Sequence, residues 1–160
     1  MHLFRKFEIK MKRKIITNLK ELRKTSEKIT NFTEIQDIII DLEDTLKETS
    51  GIGLSAIQIG IPKAVSIIRY QNKKINLVNS GIIDKFGKFC MRDEGCLSLS
   101  GIRIDTIRCK EITIENEGKQ YTFDIENDGI ICIAIQHEID HFKGILILNR
   151  KWKNINRSKK

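Results

Sequence analysis

The chain has 160 residues, 40% of them hydrophobic and 31% charged, with a formal net charge of +8. That length suits one hydrophobic core and is short for two ordinary domains, so residues 1–160 are read as a single soluble globular domain. No apolar run approaches the ~20 residues of a bilayer span, and MHLFRKFEIKMKRK lacks a secretory apolar core and cleavage site, so a membrane role is excluded and the expected location is the cytoplasm.

The positive charge belongs to the two ends. Residues 1–14 carry six Lys or Arg against Glu8, residues 150–160 carry six against none, and the stretch between carries 17 basic and 20 acidic residues. A basic folded groove for specific DNA is therefore not expected. The ends, 1–14 and 151–160, read as mobile tails able to touch an anionic surface such as the ribosome.

Between residues 33 and 51, Ile35, Ile38, Ile39, Leu42 and Leu46 recur at helical spacing. Thr33 and Gln36 suit a capping box and Gly51 a C-terminal stop. Short β-prone runs follow at 64–68, 75–78, 102–107, 112–114 and 121–125, with a hairpin turn at 116–118. Residues 130–142 favour a strand by their isoleucines, yet Ile131, Ile135 and Phe142 also fit a buried helical stripe, and the chemistry of the segment decides for helix. The predicted class is α+β: mostly antiparallel strands packed around a central C-terminal metal-binding helix, with an N-terminal helix. Four scattered cysteines without an export signal read as reduced thiols, with Cys90, Cys109 and Cys132 as small core residues.

HEIDH at residues 137–141 matches H-E-x-x-H, in which two imidazoles four residues apart lie ~40° apart around a helix and can reach one ion. Glu138 lies near enough to face a water activated by that ion. A catalytic site usually has three protein ligands. No His, Asp or Glu follows His141, and His2 is the only other histidine, so the third ligand comes from upstream: Cys96 or a carboxylate. Cys96, in DEGCLSLSG, is the stronger candidate. In GIGLSAIQIG, residues 51–60, the glycines permit close backbone approach to a substrate and Gln58 can donate to a developing oxyanion.

GIGLSAIQIG, EGCLS and QHEIDH, in this order and starting 43 and then 42 residues apart, resemble the three signature motifs of the peptide deformylase family. The likeness runs from about residue 15 to 150. It implies a divalent ion held by Cys96, His137 and His141, with Fe²⁺ favoured and Zn²⁺, Ni²⁺ or Co²⁺ also accepted by such donors. It implies Glu138 as general base and acid, and Gln58 with the backbone N–H of Leu97 as oxyanion donors. The implied substrates are N-formylmethionyl peptides, lying as an added strand between Ile52-Gly53 and the residues after Cys96, with Arg103 beside the peptide and Ile52, Leu97, Ile133 and Ile135 around the methionine. The expected state is a monomer. Ser55, Ser80, Ser100 and Asn149 depart from the family's usual alanine, prolines and acidic residue without removing a catalytic group. The alternatives are a related metallo-amidase acting on another N-acyl group and a non-catalytic, ribosome-associated paralogue; the missing downstream ligand disfavours a general metalloprotease.

Overall fold

The computed structural model describes residues 12–153. A single-turn helix α1, Leu19–Leu22, not foreseen in the sequence, is capped by Asn18. Helix α2, Ile35–Leu46, buries Ile38, Ile39, Leu42 and Leu46 as one stripe. Its ends correct the expected capping box and glycine stop. Asn31, in an extended conformation, caps a 3-10 turn at Phe32–Glu34 by accepting from the Thr33 amide at 3.2 Å, and this turn runs straight into α2. Thr33 already lies inside the turn, so it cannot act as the cap. At the other end Lys47 closes the helix, ahead of Gly51.

Two three-stranded antiparallel sheets follow, with orders β1-β2-β3 and β4-β5-β6. The first comprises β1 (Gly53–Ser55), β2 (Val65–Tyr70) and β3 (Lys73–Val78); the second comprises β4 (Gly81–Gly95), β5 (Arg103–Asn116) and β6 (Lys119–Asp124). The expected strands at 102–107 and 112–114 are one strand, β5. Strand β1 is unforeseen, and so is the long strand β4. Its period of two is broken by register shifts between Ile82 and Asp84 and between Met91 and Glu94, with Asp93 at φ 56°. Glu117 and Gly118 turn the β5-β6 hairpin, both with positive φ, as a two-residue turn of this hand requires. Asn116 ties the sheets together, accepting from Val78 N at 2.9 Å and donating to Asn76 O at 3.0 Å.

Helix α3, Ile130–Phe142, lies between the sheets. Ile131, Ile135 and Ile139 pack with Ile68 and Leu77 of the first sheet and Ile112 and Ile114 of the second. Each such burial is worth about 1.5–3 kcal/mol, whereas an isoleucine's helix-propensity cost is a few tenths, so packing overrides β preference. On the other face of the first sheet, α2 covers Val65 and Ile67. Gln136 fills a gap along β5 between β6 and a bridge from Lys151 to Thr106, accepting from Cys109 N at 2.8 Å and donating to Cys109 O at 3.0 Å.

Residues 1–11 and 154–160, with His2 and most of the basic ends, lie outside the described residues. The parts of the ends that are described make tertiary contacts. Arg13 donates to Asp41 at 2.7 Å and to Thr45 through its backbone at 3.0 Å, and Trp152 N donates to Asp105 O at 2.7 Å.

The chain leaves α3 through Gly144 at φ 67°, where an added Cβ would stand 2.2 Å from the backbone oxygen of Arg23. Gly144→Ala is expected to lower unfolding free energy by about 3 kcal/mol, combining left-handed strain with a backbone clash. Gly101→Ala, at φ 75° with no described atom within 4 Å of the added Cβ, should cost about 1 kcal/mol. Urea midpoints of the two variants check the difference; equal losses would contradict the clash.

Candidate metal centre

Three elements converge where α3 meets both sheets. The 3-10 turn Ala56–Ile59 after β1 carries Gln58, the end of β4 leads to Cys96, and α3 presents His137, Glu138 and His141. His137 Nε2 and His141 Nε2 are 3.2 Å apart, and Cys96 Sγ lies 3.6 Å from His141 Nε2. All three donor atoms fall within 4.8 Å of one another. An ion roughly 2.0–2.1 Å from two nitrogens and about 2.3 Å from a thiolate, at tetrahedral angles, sets N···N near 3.3 Å and S···N near 3.6 Å. The two close separations thus suit one tetrahedral cation, and two imidazoles with a thiolate form a donor set for it.

A hydrogen bond orients His137, whereas the Nδ1 of His141 is buried without a partner among the described residues. The Nδ1 of His137 sits 2.7 Å from Glu94 Oε1. With the proton on Nδ1 donated to that carboxylate, the Nε2 lone pair is left facing Cys96 and His141. Burial by itself would lower the His137 imidazole, but hydrogen bonds to Cys96 and Glu94 and the charge of Glu138 lift it to about 10. The same negative charges attract a cation, which binds the ring in exchange for that proton. Burial, and then the charge of His137, hold the His141 imidazole well below its ordinary value, as a neutral donor.

Gln58 is fixed at both ends. Its Oε1 accepts from Ser55 N at 2.9 Å, which turns Nε2 toward Ser98 Oγ at 3.1 Å and Cys96 Sγ at 3.6 Å. Glu138 is buried, and burial pushes its carboxyl up to about 7 against the opposing charge of His137. Among the described residues its Oε2 has no hydrogen-bond partner. A Cβ on Gly53 would lie 2.5 Å from Glu138 Oε1, so glycine there makes room for the carboxyl.

A cavity of about 460 Å³ opens beside these groups, lined among others by Ile52, Gly53, Leu97, Arg103, Ile130 and Ile133. Ile135, expected around the methionine, is instead wholly buried in the core with Ile68 and Ile112 and does not line this cavity. It sits two positions from Ile133, about 160° around the helix, and so faces the opposite way. Arg103 is exposed at the rim and donates to the backbone oxygen of Asp93 at 3.2 Å.

Sequence reasoning missed the charges behind the donors. Arg108 Nε donates to Glu94 Oε2 at 2.8 Å and its Nη1 to Asp140 Oδ2 at 2.7 Å, while Arg150 grips Asp140 with two bonds of 3.0 and 2.6 Å. Thr106 also donates to Glu94. The available signals were a second acid inside HEIDH and the acid that opens EGCLS; the arginines carried none.

For Glu94, burial would raise the carboxyl, but hydrogen bonds and charges from His137 and Arg108 hold it far below the ordinary carboxylate range. A depressed folded pKa adds stability that is present above the unfolded value of about 4.3 and is lost as pH falls through the folded one. Glu94→Gln should therefore lose about 3 kcal/mol at neutral pH, as expected for breaking a buried pair, and should melt with less dependence on acid below pH 5 than wild type. Thermal midpoints from pH 7 to pH 3 test this; parallel curves would contradict it.

Comparison with known proteins agrees along most of the chain. The family described as Polypeptide deformylase matches residues 12–159. The chain is 34% identical over 138 residues to the peptide deformylase of Desulfitobacterium hafniense, covering 85% of this chain and 91% of that one. A crystal structure of a peptide deformylase from Legionella pneumophila superposes with a TM-score of 0.79 at 30% identity, covering 89% of this chain and 87% of the other. One from Synechococcus elongatus, in complex with actinonin, gives 0.78 at 25% identity, covering 91% and 85%.

Proposed function

Because the chain belongs to the peptide deformylase family, we propose that its deformylation of N-formylmethionyl peptides is carried out by Cys96, His137 and His141 as metal ligands, Glu138 as proton carrier, and Gln58 with Leu97 as oxyanion donors. The protein is a metal-dependent hydrolase that removes N-formyl groups from new peptides. The observation that carries the assignment of residues is the donor triangle, with Gln58 Nε2 3.6 Å from its sulfur and Glu138 lining the adjoining cavity.

When bound, the ion supplies Lewis acidity: it polarises the formyl carbonyl and makes water a better nucleophile at neutral pH. The Glu138 carboxylate takes a proton from the attacking water as its oxygen adds to the formyl carbon. Gln58 Nε2 and the Leu97 N–H donate to the oxygen that becomes negative in the tetrahedral intermediate. Glu138 then delivers the proton to the amine nitrogen as the C–N bond breaks, leaving formate and a free N-terminus. A carboxyl near 7 holds and gives up a proton at comparable cost, which suits both halves of this cycle. Ile52 and Ile133 would contact the methionine side chain, the peptide would add as a strand beside Ile52-Gly53, and Arg103 would flank it.

Residues 1–160 are taken as one domain, acting as a monomer in the cytoplasm, with the basic ends touching the ribosome. Among the described residues no helix is long and apolar enough to cross a membrane. Fe²⁺ is the proposed working ion. A thiolate-ligated ferrous site open to a cavity is exposed to oxidation, whereas Ni²⁺ at the same donors is less so.

The test is an anaerobic formate-release assay on formyl-Met-Ala-Ser, with metal analysis of the same sample. Wild type should turn over with iron or nickel and lose the iron activity faster in air. Glu138→Ala should lose at least 10²-fold in kcat while keeping its metal, in line with removal of a general acid-base. Preference for acetyl-Met over formyl-Met peptides, or full activity without Glu138, would overturn the reading.

A further inference from the structure

Arg150 stands outside everything the reaction touches, yet it ends a continuous chain of charged contacts that begins at the imidazole of His137. From His137 Nδ1 the path runs to Glu94 at 2.7 Å, to Arg108 at 2.8 Å, to Asp140 at 2.7 Å and to Arg150 at 2.6 Å. Two carboxylates thus alternate with two guanidinium groups behind one ring. Arg108, Glu94 and Asp140 have side chains no more than 6% exposed, whereas Arg150 is 41% exposed and closes the chain at the surface.

We infer that Arg150 is a positioning residue for His137, acting through Asp140, Arg108 and Glu94; the inference rests on the assignment of Cys96, His137 and His141 as metal ligands. The oxygens of Asp140 show why. Its Oδ2 is shared by Arg108 and Arg150, and among the described residues Oδ1 accepts from Arg150 alone. Without Arg150 a buried carboxylate keeps its full charge with Arg108 as its remaining guanidinium partner. Arg108 is then drawn from Glu94, and the carboxylate that aims His137 loses its anchor. The planar fork of arginine spans both oxygens of Asp140, which a lysine ammonium does not.

Arg150 is itself set in place from both sides. Before it, Asn149 Oδ1 accepts from Leu146 N at 3.1 Å and from Arg23 Nη1 at 3.0 Å. After it, Lys151 bridges to Thr106 on β5, the strand that carries Arg108. The segment that follows the metal helix therefore returns to the same strand and delivers the guanidinium to Asp140.

The test measures the Zn²⁺ dissociation constant of the full chain by competition with a chelator, together with the visible spectrum of the Co²⁺-loaded protein. Arg150→Ala should weaken zinc binding about tenfold, within the usual range for a group that orients a ligand, and shift the cobalt bands. Arg150→Lys should recover only part of the loss. In an Asp140→Asn background, where no carboxylate charge needs balancing, Arg150→Ala should change binding by less than about twofold. A merely structural role would lower the melting point of the metal-free protein and leave the dissociation constant and cobalt spectrum as in wild type, which would overturn the inference. An equal loss in the Asp140→Asn background would overturn it as well. If Arg150→Ala does not fold, Arg150→Gln serves, with the same outcomes. Wild-type zinc affinity in His141→Ala would instead show that the metal-centre assignment has failed, independently of Arg150.

Discussion

Helix α3 is enclosed by two sheets and carries Glu138, Asp140 and His141 buried and His137 nearly so. Charges taken out of water cost several kcal/mol each unless they are paired, and that constraint organises what surrounds the helix. Asp140 requires two guanidinium groups, which come from Arg108 on β5 and Arg150 beyond the helix. His137 requires an acceptor, which comes from Glu94 near the end of β4. The long β4-β5 hairpin therefore serves the helix as much as it serves its own sheet, because both of its strands reach under the imidazoles.

Glu138 lines the cavity, and the Nδ1 of His141 is buried without a partner among the described residues. Glu138 Oε2 has no partner among the described residues, and the Nε2 atoms of both imidazoles cluster with the Cys96 sulfur. Behind His137, Glu94, Arg108, Asp140 and Arg150 pair in succession, and the cavity opens beside His137 and Glu138. A closed, rigid backing with an open front is the arrangement that favours charge stabilisation in a transition state, since the dipoles are set before the reaction begins. Gly53 belongs to the same design, because any side chain there would meet the Glu138 carboxyl.

Much of the front was legible in the sequence and little of the back. Two histidines four apart on a helix face one point by geometry alone, and the absence of any ligand after His141 directs attention upstream to Cys96. Helical spacing also held the information that separates Ile133 from Ile135: Ile133 lies one turn before His137 and faces the cavity, whereas Ile135 lies one turn before Ile139 and faces the core. The Glu94–Arg108–Asp140–Arg150 contacts span 14, 32 and 10 residues of sequence, and no local periodicity connects such positions. Strand β4 was hidden for a related reason, since bulges break its alternation and its exposed positions mix charged residues with Ile83 and Phe86. The start of α2 was misplaced because Thr33 resembles a cap as well as Asn31 does, and backbone conformation decides between them.

The claim on which the account depends is that one thiolate and two imidazoles hold the ion. X-ray absorption at the metal edge of anaerobically purified protein measures that directly. The proposed ligand set predicts one sulfur at about 2.3 Å and two imidazole nitrogens at about 2.0–2.1 Å. A first shell of oxygen and nitrogen without sulfur would contradict it.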